Sequence, residues 1–226
     1  VSKTGAGIVA LSAASTITGS FTLDEGTLLV TNTSGSATGS GAFTAAAGTT
    51  LAGTGRIAPA ADTAINLNGN LYVGDTTLGS PVASVFELAT SGTGSTITGS
   101  SSLFYFDLFS NLGNGTLNSS ASADYIKLFG TLDNSAGGTL IIGNPLALNN
   151  FSLGDAWNLF DLSSGGSITN DFDLDFSSLG LDPSLYEGHF DRTTGVFSIA
   201  NAIPEPSRAL LTALGLTPLL FRRRRA

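Results

Sequence analysis

An acidic alternation near the C-terminus is the first candidate for chemistry in this sequence. Asp171, Asp173 and Asp175 alternate with Phe and Leu, so a β-strand would place the three carboxylates on one face, about 7 Å apart. Carboxylates at this spacing could bind Ca²⁺ between neighbouring strands or molecules. The segment lacks the glycine turn and the converging oxygens of an EF-hand loop. A solvated strand face that discourages edge pairing is therefore the favoured interpretation, with Ca²⁺ binding as the alternative and no metal site assigned.

His189 is the only histidine in the chain. A Ser-His-Asp triad would combine it with Ser184 and Asp191, but no Gly-x-Ser-x-Gly sequence is present to expose a serine nucleophile. We therefore predict that His189 lies in a turn between Gly188 and Phe190 and has no catalytic role.

Cleavage of glycosidic bonds requires clustered carboxylates, commonly beside a basic residue that stabilises the developing charge. Before Ile203 the chain contains few glutamates and basic residues, and they are widely spaced: Glu25, Glu87, Glu187, Lys3, Arg56, Lys127 and Arg192. Four aromatic side chains could stack on sugar rings: Trp157, Tyr105, Tyr125 and Tyr186. Aromatic residues in apolar alternation are more often core residues. Because the charged residues are also few and widely spaced, we predict no catalytic residue and no cofactor.

The charge of the chain is divided between an acidic body and a basic tail. Arg208 and Arg222 to Arg225 supply five of the nine basic residues, and Glu205 supplies one of the seventeen acidic residues. The body from Val1 to Ile203 therefore has four basic and sixteen acidic residues and a net charge of −12. Such a body repels nucleic acid and anionic lipid, which leaves divalent cations and neutral sugars as partners. The absence of cysteine excludes disulfides and thiolate chemistry.

Short strands punctuated by glycine are predicted to position these residues. The hexapeptide Ser-Thr-Ile-Thr-Gly-Ser occurs at Ser15 to Ser20 and again at Ser95 to Ser100. Gly-Thr-Leu or a near variant opens several β-rich segments: Gly26 to Leu28, Gly48 to Leu51, Gly115 to Leu117, Gly130 to Leu132 and Gly138 to Leu140. Glycine supplies a turn, and the residues after it begin a strand with one buried face. This recurrence favours a stack of short coils, a solenoid.

The stretch from Gly26 to Ile57 resembles the autotransporter-associated β-strand repeat of secreted bacterial proteins. It contains Gly-Thr-Leu-Leu-Val, a Gly/Ser turn, and the ending Ala-Gly-x-x-Leu-x-Gly-x-Gly-x-Ile. The resemblance implies a right-handed parallel β-helix. Five residues are expected to point into its interior: Leu28, Val30, Phe43, Leu51 and Ile57. Gly53 and Gly55 are expected at a corner that a Cβ atom would obstruct.

From Val82 to Ala202 the predicted strands are longer and more aromatic. They are Ser102 to Phe109, Asp124 to Leu132, Gly138 to Gly143, Ala156 to Leu162 and Gly195 to Ala200. We expect them to continue the solenoid toward a C-terminal cap, with a separate small β-sandwich as the alternative.

The tail from Ile203 to Ala226 contains a proline-rich turn, thirteen mostly apolar residues from Ala209 to Phe221, and four arginines. It resembles the PEP-CTERM sorting signal of Gram-negative bacteria, whose signature corresponds here to Pro204, Glu205, Pro206 and Ser207. The basic end corresponds to Arg222, Arg223, Arg224 and Arg225, which would resist crossing the membrane and remain on its cytoplasmic side. The resemblance implies an exosortase-type membrane protease as a partner. It also implies transient inner-membrane anchoring through a C-terminal hydrophobic helix.

The sequence thus predicts an all-β, right-handed parallel β-helix with a C-terminal hydrophobic helix. Residues 1–58 would form coils with the repeat, residues 59–202 the continuing solenoid and its cap, and residues 203–226 the sorting segment. We expect a non-enzymatic structural protein or adhesin, exported to the cell surface or extracellular matrix, in contact with the cell envelope or exopolysaccharide. A carbohydrate-binding or polysaccharide-cleaving β-helix is the alternative. Because no secretory leader is recognisable after Val1, we expect this sequence to be a piece of a longer chain.

Overall fold

The computed structural model describes residues 1–74, 83–110 and 122–202, and these form an all-β fold with almost no helix. The strands before the first gap are β1 (Ser2–Lys3), β2 (Ile8–Leu11), β3 (Phe21–Leu23), β4 (Thr27–Val30), β5 (Phe43–Ala45), β6 (Thr50–Gly53), β7 (Arg56–Ile57), β8 (Ile65–Leu67) and β9 (Asn70–Val73). Those that follow it are β10 (Val85–Ala89), β11 (Ser95–Thr98), β12 (Leu103–Asp107), β13 (Tyr125–Phe129), β14 (Thr131–Asp133), β15 (Thr139–Gly143), β16 (Ala156–Asn158), β17 (Phe160–Asp161), β18 (Ser167–Thr169), β19 (Asp173–Asp175), β20 (Tyr186–Asp191) and β21 (Val196–Asn201). Within the described residues the one helix is a 3₁₀ turn at Ser177–Leu179. The prediction of an all-β fold is confirmed, while the expected C-terminal helix lies outside the described residues.

Three sheets of parallel strands make up most of the fold. Sheet A has the order β1-β3-β5-β8-β11-β14-β18, sheet B the order β19-β15-β12-β9-β6-β4-β2, and sheet C the order β17-β13-β10-β7. A fourth, antiparallel sheet has the order β16-β21-β20, and we refer to it as the cap sheet.

The chain visits the parallel sheets in a repeating order. Strands β7, β8 and β9 lie in sheets C, A and B, and β10 to β12 and then β13 to β15 repeat that order. We call one visit to the three sheets in this order a passage. Strands of successive passages pair in parallel register, as Phe86 of β10 does with Ile126 of β13. Strands β10 to β15 therefore extend the same three sheets and do not form a separate β-sandwich. The pairing runs on across residues 58 and 59, because β8 pairs with β5 and β9 with β6.

Rows of apolar side chains form the interior. On sheet B, register partners place one such row along the whole sheet: Val9, Leu28, Leu51, Leu71, Phe104, Leu140 and Leu174. Its central members are almost completely buried. Full burial of a side chain of this kind contributes about 1.5–3 kcal/mol. The five residues expected to point inward are all fully buried, so that prediction is confirmed: Leu28, Val30, Phe43, Leu51 and Ile57.

Gly53 and Gly55 allow two neighbouring passages to approach closely. Gly53 has a φ of 127°, and a Cβ atom there would lie 2.0 Å from the carbonyl oxygen of Val30. A Cβ at Gly55 would lie 2.5 Å from Oδ1 of Asn32. That oxygen accepts a hydrogen bond from the backbone N–H of Arg56 at 2.8 Å, which fixes the corner. The prediction that both glycines occupy an obstructed corner is confirmed.

The three parallel sheets differ at their two ends, where the first and the last strands of each sheet lie. The cap sheet covers the C-terminal end, where Trp157 is fully buried and its Nε1 donates to the carbonyl of Ser110 at 3.0 Å. The expected strand Ala156 to Leu162 is divided, because β16 belongs to the cap sheet and β17 to sheet C. At the N-terminal end Ile8 and Val9 of β2 are exposed.

Candidate functional sites

The acidic alternation forms only part of the expected three-carboxylate face. Strand β19 covers Asp173–Asp175, whereas Asp171 precedes it and forms an ion pair with Arg192, at 3.1 Å from Oδ1 to Nε. The backbone explains the difference, because the carbonyl of Asp171 accepts a hydrogen bond from Nδ2 of Asn134 at 2.7 Å. The prediction that all three carboxylates share one strand face is therefore wrong.

The two carboxylates that remain on β19 are exposed, and one of them is engaged locally. Oδ1 of Asp175 accepts hydrogen bonds from the backbone N–H of Ser177 at 3.0 Å and from its hydroxyl at 2.7 Å. These bonds lower the pKa of Asp175. Within the three described ranges, no group of three or more His, Cys, Asp or Glu residues is arranged to hold a metal ion.

His189 lies in strand β20 and is exposed, so the prediction that it occupies a turn is wrong. It is the register partner of Ser198 in the β20–β21 hairpin. The other two residues of the hypothetical triad are bonded elsewhere. The hydroxyl of Ser184 donates to Oδ1 of Asp182 at 2.7 Å, and Oδ1 of Asp191 accepts from the hydroxyl of Thr193 at 2.6 Å.

A pair of stacked tyrosines lies on the outer face of sheet B. Tyr72 of β9 and Tyr105 of β12 are register partners, with ring centroids 3.9 Å apart and planes within 6° of parallel. Phe104 and Phe106 point into the interior, so Tyr105 between them points outward. The expectation that Tyr105 is a core residue is therefore wrong, whereas for Trp157 it is confirmed.

Tyr72 is not among the aromatic candidates named from the sequence. The signal in the sequence is its position between the apolar residues Leu71 and Val73, which assigns the tyrosine to the outer face, and both neighbours are indeed buried. The two tyrosines continue a mostly apolar outer row: Leu29, Ala52, Tyr72, Tyr105 and Ile141. Partial burial, together with a hydrogen bond to Tyr105, raises the pKa of Tyr72 to about 12. Its hydroxyl is therefore neutral at physiological pH and can donate or accept a hydrogen bond.

Asp124, the residue before β13, carries a buried carboxyl group. Its side chain has an exposed fraction of 2%, and its oxygens accept hydrogen bonds from the backbone N–H groups of Ser84 at 2.8 Å and Asp107 at 3.1 Å. Burial raises the pKa of Asp124 to about 7, and it outweighs the two hydrogen bonds, which lower the pKa. Burial also raises the pKa of Asp107.

A carboxyl group that titrates near neutrality is suited to general acid or base catalysis. Asp124, however, is almost inaccessible, and backbone N–H groups engage both of its oxygens. Asp124, just before β13, instead joins two other strands. Its oxygens bind the backbone at Ser84, just before β10, and at Asp107, the last residue of β12.

The sorting motif and the basic end, Pro204 to Ser207 and Arg222 to Arg225, lie outside the described residues. Within residues 1–74, 83–110 and 122–202, no helix is long and apolar enough to span a bilayer. Comparison of the chain with protein-family models, with curated proteins and with solved structures finds no match.

Proposed function

We propose that this chain is a right-handed parallel β-helix that serves as an exported structural protein or adhesin without enzymatic activity. In this proposal the stacked coils form a stiff, acidic body with few charged residues that contacts the cell envelope or exopolysaccharide. The tail delivers that body to the cell surface or extracellular matrix through the PEP-CTERM signal and an exosortase-type protease, with transient anchoring in the inner membrane.

The observation that carries the β-helix is the repeated visit to sheets C, A and B. Strands of successive passages pair in parallel, and apolar residues in the same row follow one another on successive passages. A chain that returns to a neighbouring parallel strand in the same sheet does so with a right-handed connection in about 98% of cases. These features support a right-handed coil in which each passage stabilises its neighbours.

The proposed export depends on the order of three segments in the tail. Pro204 to Ser207, Ala209 to Phe221 and Arg222 to Arg225 follow one another after the last strand of the cap sheet. The apolar run can enter a bilayer, and the arginines resist crossing it. The acidic body lies on the other side of the apolar run from the basic end, an arrangement consistent with translocation of the body alone.

Mass spectrometry of the mature protein from its native host tests the sorting proposal. We expect the residues after Ser207 to be missing from the exported protein. A matched variant, Pro204→Ala with Pro206→Ala, should retain the tail and remain with the inner membrane. An intact arginine end on wild-type protein recovered from the cytosol would reject the proposal.

The stacked pair Tyr72 and Tyr105 favours carbohydrate binding as the second candidate function. The pair offers ring edges and two hydroxyl groups on an outward row of a parallel sheet, and neutral sugars suit an acidic body. Replacing both tyrosines with serine should abolish retention on immobilised exopolysaccharide if this function holds. Unchanged retention would leave the structural role as the better proposal.

A further inference from the structure

Exposed large apolar side chains concentrate at the two ends of the stacked sheets. Within the described residues they are Val1, Ile8 and Val9 at the N-terminal end, Ile97 alone on sheet A, and Leu146, Leu153 and Leu185 at the C-terminal end. The three leucines are 44%, 42% and 58% exposed. Because isolated exposed apolar residues are ordinary, the C-terminal group is of interest where it lies beside other features of the surface.

An open cleft of about 290 Å³ is lined by residues that neighbour this group in the sequence. Its apolar lining includes Leu148, Phe151, Leu179 and Leu181, and Ala147, the neighbour of Leu146, lies at its edge. Leu181 precedes Leu185 by four residues. We call the three exposed leucines and this cleft the leucine patch.

The described chain ends beside the leucine patch. The backbone N–H of Ala202 donates to the carbonyl of Leu185 at 3.0 Å. On the other side of the same strand, the N–H of Gly154, the neighbour of Leu153, donates to the carbonyl of Ile199 at 2.9 Å. The tail therefore leaves the body between two of the exposed leucines.

The distance from this point to the apolar run limits where the body can sit. Seven Cα steps separate Ala202 from Ala209, and they reach about 25 Å at most. If the run from Ala209 to Phe221 enters a bilayer, Ala202 must lie within that distance of it, and Leu153 and Leu185 flank the exit. A bilayer surface at the exit can take up exposed leucine side chains.

We propose that the leucine patch is a lipid-contacting surface that seats the cap end of the body on the membrane while the tail is anchored. This inference rests on the proposed anchoring of the tail. The exposed acids Asp182 and Glu187 flank Leu185, so the matching surface is zwitterionic lipid rather than anionic lipid. Leucine side chains entering the boundary between headgroups and acyl chains supply the attraction.

A fold-back of the tail onto the patch fits less well. A helix of thirteen residues is about 20 Å long and apolar on all sides, and a cleft of about 290 Å³ accommodates few of its side chains. A bilayer, in contrast, covers both the apolar run and the exposed leucines.

Because the chain contains no cysteine, single cysteines can carry an environment-sensitive fluorophore at chosen positions. The full chain is reconstituted with vesicles of phosphatidylcholine and phosphatidylethanolamine, with and without brominated lipid as a quencher. Labelled variants are Leu153→Cys and Leu185→Cys on the patch, and Leu214→Cys in the apolar run. The matched control is Thr193→Cys, at the opposite end of the β20–β21 hairpin and exposed.

We expect brominated lipid to reduce fluorescence by about half at positions 153, 185 and 214, and to leave position 193 unchanged. In the background Leu146→Ser with Leu185→Ser, quenching at position 153 should fall while quenching at position 214 persists. Quenching at position 214 without quenching at 153 and 185 would overturn the lipid-contacting patch but retain the anchoring. No quenching at position 214 would overturn both. Shielding at 153 and 185 without vesicles would overturn the inference in favour of cover by the tail or a second copy.

Discussion

Asp124 and Asp107 form a reciprocal backbone–side-chain link. The backbone N–H of Asp107 donates to Oδ2 of Asp124 at 3.1 Å, and the backbone N–H of Asp124 donates to the carbonyl of Asp107 at 2.9 Å. Since Oδ1 of Asp124 also accepts from Ser84, one buried side chain joins three segments that are far apart in sequence. The stability of this junction should depend on the charge of that side chain.

Replacing Asp124 with Asn should remove a pH dependence of stability. The pKa of Asp124 is raised from 3.8 to about 7 in the folded chain, so the folded state binds the proton more tightly than the unfolded state. Its contribution to stability is therefore complete below about pH 4 and is lost as the pH rises through 7. At 1.36 kcal/mol per pKa unit the loss is on the order of 4 kcal/mol. Urea unfolding of wild type and variant between pH 4 and pH 8 measures it.

The matched control for this prediction is Asp182→Asn. Hydrogen bonds from Ser184 lower the pKa of Asp182, so its contribution to stability is present at neutral pH and is lost as the pH falls. Because Asp182 titrates below pH 4, Asp182→Asn should keep the pH dependence of wild type between pH 4 and pH 8, whereas Asp124→Asn should lose it. Parallel curves for wild type and Asp124→Asn would contradict the prediction.

Gly53→Ala should destabilise the fold far more than Gly48→Ala. Both glycines have positive φ, 127° and 80°, but a Cβ at Gly53 would meet the carbonyl oxygen of Val30 at 2.0 Å whereas a Cβ at Gly48 meets nothing within 4 Å. We expect a loss of about 3 kcal/mol or more at Gly53 and about 1 kcal/mol at Gly48. Equal midpoints of chemical unfolding for the two variants would show that the corner can relax.

Trp157→Phe should loosen the cap sheet by about 2 kcal/mol. The variant loses the hydrogen bond from Nε1 to the carbonyl of Ser110 and part of the packing against Phe151 and Phe197. Phe151→Leu keeps the hydrogen bond and should cost about 1 kcal/mol. Thermal unfolding of both variants, followed by circular dichroism, provides the comparison. If Trp157→Phe is no less stable than Phe151→Leu, the hydrogen bond from Trp157 does not contribute measurably to stability.

Asp173→Val combined with Asp175→Val should promote association of the chain. These exposed carboxylates lie on β19, the last strand of sheet B, and apolar replacements would leave a terminal strand suited to pairing with another molecule. Size-exclusion chromatography with light scattering over a range of concentrations should detect dimers or larger species. Asp173→Asn with Asp175→Asn, which stays polar, should remain closer to wild type. Monomers of the valine variant at every concentration would contradict this protective role.

The sequence alone was sufficient for the local features of this fold. Alternation with a period of two assigned Leu28 and Leu51 to the interior, and the same rule could have assigned Tyr72 to the outside. The glycines at 53 and 55 marked a corner because only a residue without a Cβ fits there. These features depend on the chemistry of neighbouring residues, which the sequence states directly.

The tertiary structure decided which distant residues meet. The stack of Tyr72 on Tyr105, the ion pair of Asp171 with Arg192, and the burial of Asp124 all depend on how far the chain travels between one visit to a sheet and the next. That length varies from passage to passage, so alternation fixes the face on which a residue lies but not its neighbour in the next strand. Register between strands arises from the packing of the whole interior. For that reason the link between Asp124 and Asp107 and the stacked tyrosines became visible only in the folded chain.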